Sequence, residues 1–444
     1  MSEIRRFNVK SLTRVEGLGA LRIRVDDGSI EIAEFNIYEP PRFFERLLRG
    51  RGFAEVPDIT ARICGICPVA YQLTACQALE QAFGVEITPA ITALRRLLYC
   101  GEWIQSHALH IHLLHAPDFL GYESGFTLAA DRPEFVERGM RFKAIGSQIM
   151  EVVGGRAVHP VNVAVGGFYK APSVAALRGL VPDLEWGLSA AIELVREVAE
   201  FEFPAVRLPS TCVALRSDDG YPPATGRIIS SDGLDIAIDD FERHFAEVQV
   251  PHSTALHSLQ LPGRTPYVVG PVARLNLCHD QLPPAARRLA DTCGIEWPLR
   301  NPFQSIVARA LEMAAAFETA VAIARDAVAE IHPCRVEVVP REGTGCHATE
   351  APRGLLYHRY SVDAEGLISL ATIIPPTSQN QAQIEEDLRV LLPSVLHLDD
   401  ALATQRCEHL IRSYDPCISC ATHFLTLTVD RAQKKLPPPE ERQP

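Results

Sequence analysis

Arg62-Ile63-Cys64-Gly65-Ile66-Cys67-Pro68 and, far along the chain, Asp415-Pro416-Cys417-Ile418-Ser419-Cys420-Ala421-Thr422-His423 decide how this sequence must fold. Each stretch holds a Cys-x-x-Cys pair, a spacing that presents two thiolates to one ion with little backbone strain. Two pairs make a four-thiolate site, which suits a soft or borderline metal such as nickel, zinc or iron. About 350 residues separate the pairs, so they are not a local zinc ribbon, whose pairs lie close together in sequence. A shared ion therefore requires both ends of the chain to meet over a folded core. On spacing alone, a structural and a catalytic metal stay equally open.

Composition sets the outer bounds. The chain has 444 residues, 47% of them hydrophobic, enough for a large core and for one to three domains. Its net charge of −12 argues against nucleic acid as a partner. No uncharged apolar run reaches membrane-spanning length, so no direct membrane span is expected. Met1-Ser2-Glu3-Ile4-Arg5-Arg6-Phe7 lacks the apolar core of a secretory signal, which points to a cytoplasmic protein. Of twelve cysteines, four fall in the pairs and eight stand singly. A chain this long does not need disulfide staples, so the singles are predicted to be buried core residues in a reducing compartment.

Local patterns place the motifs. Leu21 to Val25 alternates, Asp26-Asp27-Gly28 turns, and Ile30 to Ile37 alternates again, which predicts an N-terminal β-hairpin. Thr13-Arg14-Val15-Glu16-Gly17 sits at its leading edge. Pro40 and Pro41 keep the chain extended before Arg42-Phe43-Phe44-Glu45 turns helical. Residues 58–84 read as helical, with Pro68 in a first turn and Gly84 as the stop. That places Cys67 at a helix N-terminus, where free N–H groups and the dipole favour a thiolate. Further helices are predicted at 88–115, 133–153, 173–203 (broken at Pro182), 302–331, 380–391 and 394–412. Residues 207–300 read as a smaller α+β excursion and 335–339 as a strand before the Gly-rich 342–345. Residues 424–444 end in a polar, Pro-rich run predicted to be disordered. His107, His110, His112 and His115 do not share one helix face, so packing and hydrogen bonding are favoured over a second metal site.

The two cysteine stretches closely resemble the paired signatures of nickel–iron hydrogenase large subunits. Arg14-Val15-Glu16-Gly17, Arg42-Phe43-Phe44-Glu45, His115-Ala116-Pro117-Asp118 and Glu350-Ala351-Pro352-Arg353-Gly354 are similar to further motifs of that family, in its order. The resemblance thus spans nearly the whole chain. It implies an α+β, predominantly α-helical fold of the hydrogenase large-subunit type, with long core helices and an N-terminal β-hairpin. Residues 1–423 would form that domain, and 424–444 a C-terminal extension cut off after His423 by a maturation endopeptidase once nickel-insertion proteins have acted.

The same resemblance implies a nickel–iron centre with cyanide and carbon monoxide on the iron, and reversible heterolytic cleavage of H2. Cys64 and Cys417 would be terminal on nickel, Cys67 and Cys420 bridging. Arg353 is the donor suited to the small anions, Glu16 a first proton relay, and Asp118 and Asp415 acids that orient Arg353 and the ligand-bearing loops. Glu45 and His423, with a backbone carbonyl near Ile373, would hold magnesium or iron at a second site. Here the sequence departs from the commoner Arg-Gly-x-Glu, and its wording is closer to that of nicotinamide-linked members. Once the two pairs are used, no cysteine cluster here resembles an Fe–S ligand set, so an Fe–S small subunit is implied, and flavin- and Fe–S-bearing diaphorase subunits beyond it. The alternatives are a hydrogen-sensing relative, disfavoured by the tail, a hydrogenase-derived scaffold, disfavoured by the four cysteines, and a zinc-stabilised structural protein.

Overall fold

The chain opens as a three-stranded antiparallel sheet, β1 (Ile4–Val9), β2 (Gly19–Asp26) and β3 (Ser29–Ile37), in the order β1-β2-β3. Asp27 and Gly28 both take positive φ, which suits the tight turn between β2 and β3. The hairpin is as the alternation predicts; β1 is an addition, paired from Ile4–Asp26 to Val9–Leu21. The computed structural model describes residues 4–422 apart from 209, 219, 222, 224 and 327–332. The predicted tail, and the end of the helix predicted to reach 331, lie outside the described residues.

Short helices α1 (Phe44–Leu48) and α2 (Val56–Ala61) lead into α3 (Pro68–Phe83), which starts on Pro68 and stops at a left-handed Gly84, as expected. Almost every residue of α3 is buried, so it is a core helix wrapped on all sides rather than a surface one. Thr88 caps α4 (Pro89–Leu109) by accepting from Ile91 N–H. Helix Pro133–Gly154 packs along α4 so closely that a side chain at Gly146 would meet the Gly101 carbonyl oxygen at 2.5 Å. The break predicted at Pro182 falls at Leu180, between helices Val174–Gly179 and Val181–Ala199, with Pro182 in the first turn of the second; helix Ser305–Arg325 completes the bundle. The four histidines are buried at the α4 end and in the wide turn His110–His115, and they bond to Glu312, the Arg412 carbonyl, the Ala108 carbonyl and Ser413. These are packing and hydrogen-bonding roles.

A second three-stranded sheet, Gly343–Ala351, Gly354–Val362 and Ile368–Ile374, lies against α3. The sequence pattern misplaces it. Residues 335–339 hold only an isolated bridge between Arg335 and Gly167, and the Gly-rich stretch expected to follow a strand is itself the start of one. Gly345 explains the composition: a Cβ there would sit 2.1 Å from the Ala78 carbonyl of α3. The strand can lie on the helix backbone only where no side chain intervenes. Among its described residues, 207–300 hold short strands and three α-helices, Phe241–His244, Pro271–Cys278 and Pro284–Thr292. Val213, Leu215, Tyr267 and Val269 share an apolar cluster with Ala348, Leu355 and Tyr357 of this sheet. Helices Pro376–Val395 and Asp400–Ser413 then bring the chain back under the N-terminal sheet.

Gly345→Ala is therefore expected to destabilise the protein by about 1–3 kcal/mol through overpacking. Gly179→Ala, where a Cβ meets nothing within 4 Å, is the control and should be neutral or slightly stabilising. Denaturant midpoints of the two variants check this; equal midpoints would contradict the packing argument.

Candidate metal centre

The loop from Ile63 to Cys67 turns so that the N–H groups of Ile66 and Cys67 point at Cys64 Sγ, at 3.3 and 3.4 Å. The sequence reading gives the helix-start advantage to Cys67. In the structure the first free N–H groups of α3, from Val69 and Ala70, are taken by the Glu102 carboxylate of α4, at 2.6 and 3.0 Å. A carboxylate already occupies the positive end of the helix, so the spare donors serve Cys64 instead. Hydrogen bonding from Cys417, then from Cys420 and Cys67, holds the Cys64 thiol well below its ordinary value, whereas burial pushes Cys417 up.

The second pair is set by residues from three other parts of the chain. Asp415 takes a left-handed φ of 52°, which a short polar side chain tolerates best after glycine. Arg353 Nε donates to the Asp415 carbonyl at 2.9 Å and Nη2 to its Oδ1 at 3.2 Å. Glu16 pairs with Cys417 as a single parallel bridge. Ile418 N–H donates to the Glu16 carbonyl at 2.9 Å, and Ser419 N–H and Cys417 Sγ donate to Glu16 Oε2 at 3.0 and 3.1 Å. Thr377 Oγ1 accepts from Cys417 N–H at 3.0 Å. Arg42 donates to the carbonyls of Ile63 and Ser419 and so ties the two signatures together.

The outcome is four buried sulfurs, each within 4.8 Å of the others and none in a disulfide. First faces first and second faces second: Cys64 lies 3.5 Å from Cys417, Cys67 lies 3.7 Å from Cys420, and Cys417 lies 2.7 Å from Cys420. The eight other cysteines are free, with six buried and Cys293 and Cys334 half-buried. Tyr71 of α3, which sequence reasoning did not single out, stands against the sulfurs. Its hydroxyl is pushed well above the ordinary range by burial and then by the charges of Cys420, Cys67 and Cys417. Arg353 is buried, yet its Nη1 has no protein partner, so one charged donor is left for an acceptor the chain does not supply. Four converging thiols and that spare donor fit a metal centre bearing small anionic ligands.

A chain of this geometry can be set beside known proteins. The nickel-dependent hydrogenase model matches residues 42–134 and 265–423. The chain is 35% identical over 425 residues to the sulfhydrogenase 1 subunit alpha of Pyrococcus furiosus, covering 95% of this chain and 98% of that protein. This chain belongs to the nickel-dependent hydrogenase family. It is also 26% identical to the NAD-reducing hydrogenase HoxS subunit beta of Cupriavidus necator, over 95% of each. It superposes on the crystal structure of an NAD+-reducing [NiFe]-hydrogenase in the H2-reduced state with a TM-score of 0.84 and 28% identity, covering 94% of this chain and 99% of that one. It is the catalytic large subunit of a nickel–iron hydrogenase, with the α+β, helix-rich fold of that family, and its cofactor is the nickel–iron centre.

One acid differs from expectation in what it touches. Asp118 does not reach Arg353; it binds Arg14 at 2.7 Å and Arg412 twice at 2.8 Å. It therefore orients the Glu16 loop and the helix that leads to Asp415. Asp415 holds the Arg353 guanidinium, and the turn that carries Arg353 is held in addition by a buried arginine outside the quoted motifs. Arg274 donates twice to Glu312 at 2.8 Å, to Glu350 Oε2 at 2.9 Å and to the carbonyls of Ala351 and Pro352 at 2.9 Å, and it lies over the Trp103 ring. It thereby clamps the turn 350–353. Arg274 holds Glu312 at about 2, whereas burial lifts Glu350 to about 7. Nothing local in the sequence marks Arg274, because its partners are 38 and 76 residues away. Glu45 accepts from Ile373 N–H at 2.7 Å and is pushed up to about 7 by burial. His423 lies outside the described residues; its neighbour Thr422 accepts from Arg42 N–H at 2.7 Å.

The two arginines outweigh the desolvation of Asp118 and hold its carboxyl below its ordinary 3.8, so it adds stability at neutral pH that is lost as pH falls through that range. Asp118→Asn leaves two arginine charges poorly compensated and should cost about 3–5 kcal/mol at pH 7. The gap to wild type should narrow as pH falls below the ordinary carboxylate range, where the wild-type group is itself protonated. A gap in melting temperature that does not change with pH would contradict this.

Proposed function

We propose that this subunit works in a cytoplasmic, NAD(P)-linked complex and that the residues gathered at the four sulfurs carry the reaction H2 ⇌ 2H+ + 2e−. The observation that supports it best is the convergence of Cys64, Cys67, Cys417 and Cys420 beside Glu16 and the spare nitrogen of Arg353. A nickel–iron centre bound there supplies the electron-pair acceptor for heterolytic cleavage. Cys64, Cys67, Cys417 and Cys420 would hold it through their four sulfurs.

Arg353 Nη1 would serve the small ligands on iron, and Asp415 fixes the guanidinium by two hydrogen bonds that leave Nη1 unpaired. The proton released from H2 leaves by Cys417 Sγ and passes to Glu16 Oε2, which already accepts a hydrogen bond from that sulfur at 3.1 Å. Cys417 is buried and Glu16 half-buried, so the step moves the proton toward solvent. Asp118 acts at one remove, by holding Arg14 beside Glu16. Glu45, with His423, would hold magnesium or iron at a second site, a structural role that would tie the C-terminal segment to the N-terminal region.

Electrons leave to an Fe–S small subunit and on to flavin-bearing diaphorase subunits; the similarity to NAD-reducing relatives supports a nicotinamide acceptor. No helix among the described residues is long and apolar enough to cross a membrane. Nickel-insertion proteins load the site, and an endopeptidase then removes residues 424–444. Intact mass of active protein should correspond to a chain ending at His423; a chain still carrying Phe424 would overturn the cleavage reading.

Glu16→Gln tests the proton route. Hydrogen-dependent dye reduction should fall by about 10²–10⁴-fold, as for loss of a general acid–base group, while nickel and iron contents stay at wild-type level. Full activity in that variant would remove Glu16 from the path.

A further inference from the structure

Well away from the four sulfurs, a second set of metal-binding side chains comes together where three elements meet. His257 opens the strand His257–Gln260, His252 lies in the turn before it, and Glu385 belongs to helix Pro376–Val395. Each can offer one ligand atom, with all three atoms within 4.8 Å of one another. His252 Nε2 is 2.7 Å from Glu385 Oε1, and the two rings meet edge to face with centroids 5.7 Å apart. We propose that His252, His257 and Glu385 form a structural binding site for a zinc-class divalent cation, separate from the hydrogen-splitting centre.

The first support is the donor set. Two imidazoles and a carboxylate match borderline transition ions such as zinc, and they disfavour magnesium and calcium, which take oxygen ligands. The second, independent support is an unmet polar atom. His257 is only 4% exposed, yet its Nε2 has no hydrogen-bond partner. Leaving such a nitrogen buried is costly, and a cation held between it and Glu385 would satisfy it.

The surroundings suit a closed site with an entrance. Phe35 N–H of β3 donates to Glu385 Oε1 at 2.9 Å, fixing the carboxylate from behind as the outer partners of metal ligands do. Glu34 Oε1 lies 4.0 Å from His252 Nδ1, the ring nitrogen turned away from Glu385, where its charge steadies the imidazole as an outer partner; water would complete the shell. The side chains of His252 and Glu385 keep 18% and 13% exposure, so an ion can enter from solvent. An ion here would pin the 245–260 hairpin and the N-terminal sheet to the helix whose first turn carries Thr377, the residue bonded to Cys417 N–H. Its role is to stiffen the frame under the second cysteine pair, with no part in the electron chemistry.

The test uses the purified holoenzyme complex. After incubation with zinc chloride and removal of free metal, elemental analysis should find one zinc per large subunit that His257→Gln and Glu385→Gln both lack, with nickel and iron unchanged in all three. Dye reduction by hydrogen should also be the same in all three, because neither residue touches the catalytic centre. Cobalt chloride gives a readout that does not need a folded variant: wild type should develop the intense visible absorption of a four-coordinate nitrogen–oxygen site, and zinc should displace it. Equal zinc in wild type and both variants, or wild type that takes up neither zinc nor cobalt, would overturn the proposal and leave the cluster as a histidine–carboxylate hydrogen bond.

Discussion

Everything near the centre depends on one short pairing: Glu16 laid alongside Cys417. It is a single bridge between a loop near the start of the chain and a turn near the end of the described residues, and it joins three kinds of contact in one residue. The backbone carbonyl of Glu16 holds Ile418, one carboxylate oxygen holds Ser419, and the same oxygen meets the Cys417 sulfur. The pairing is tight enough that Gly17 has no room for a side chain: at its φ of +91° a Cβ would lie 2.6 Å from both Ile418 and Glu39. Arg42 adds the second tie by binding carbonyls of both signatures. With those contacts made, the two cysteine pairs have little freedom to do anything but face each other.

A centre held this way is surrounded by buried charge, and the charges serve placement more than stability. A buried ion pair roughly breaks even against its desolvation, but removing one partner is expensive. Arg274 with Glu312 and Glu350, Arg95 with Glu80, and Asp118 with Arg14 and Arg412 are all of that kind. Arg274 and Asp118 tie elements that are distant in sequence, and Arg95 with Glu80 ties α4 to α3, so each fixes neighbouring backbone in one geometry. The turn 350–353 shows the consequence. Its tip carries Arg353, and its carbonyls and Glu350 are gripped by Arg274, so the guanidinium facing the sulfurs is aimed by a residue that never touches them. The bulk of the free energy of folding lies elsewhere, in the continuous apolar cluster that runs from α3 through α4 and the long helices.

Much of this was legible in the sequence, and the exceptions follow one rule. Periodicity and caps located α3, α4, the helix from Pro133 and the break at Pro182, because those signals are local. The meeting of the two cysteine pairs is legible because one four-sulfur site needs both; which cysteine matches which comes only from the family resemblance. The sheet 343–374 was misread because its first strand is written with glycines, whose presence answers to the helix backbone lying on it rather than to strand propensity. Arg274, Glu102 and Tyr71 were invisible for a related reason: their meaning is set wholly by tertiary partners. Asp118 was found by resemblance but assigned the wrong arginine, since a motif records which residue matters and not what it touches. Cys67 was favoured as the thiolate because the sequence cannot show that Glu102 has already taken the head of the helix.

Nickel-edge X-ray absorption on the loaded enzyme tests the central claim most directly. Convergence of both chain ends on one ion requires a first shell dominated by sulfur, with a sulfur contribution lost in Cys64→Ser and, separately, in Cys417→Ser. A nickel shell made mainly of nitrogen and oxygen, or one unchanged when a cysteine from either end is replaced, would contradict it.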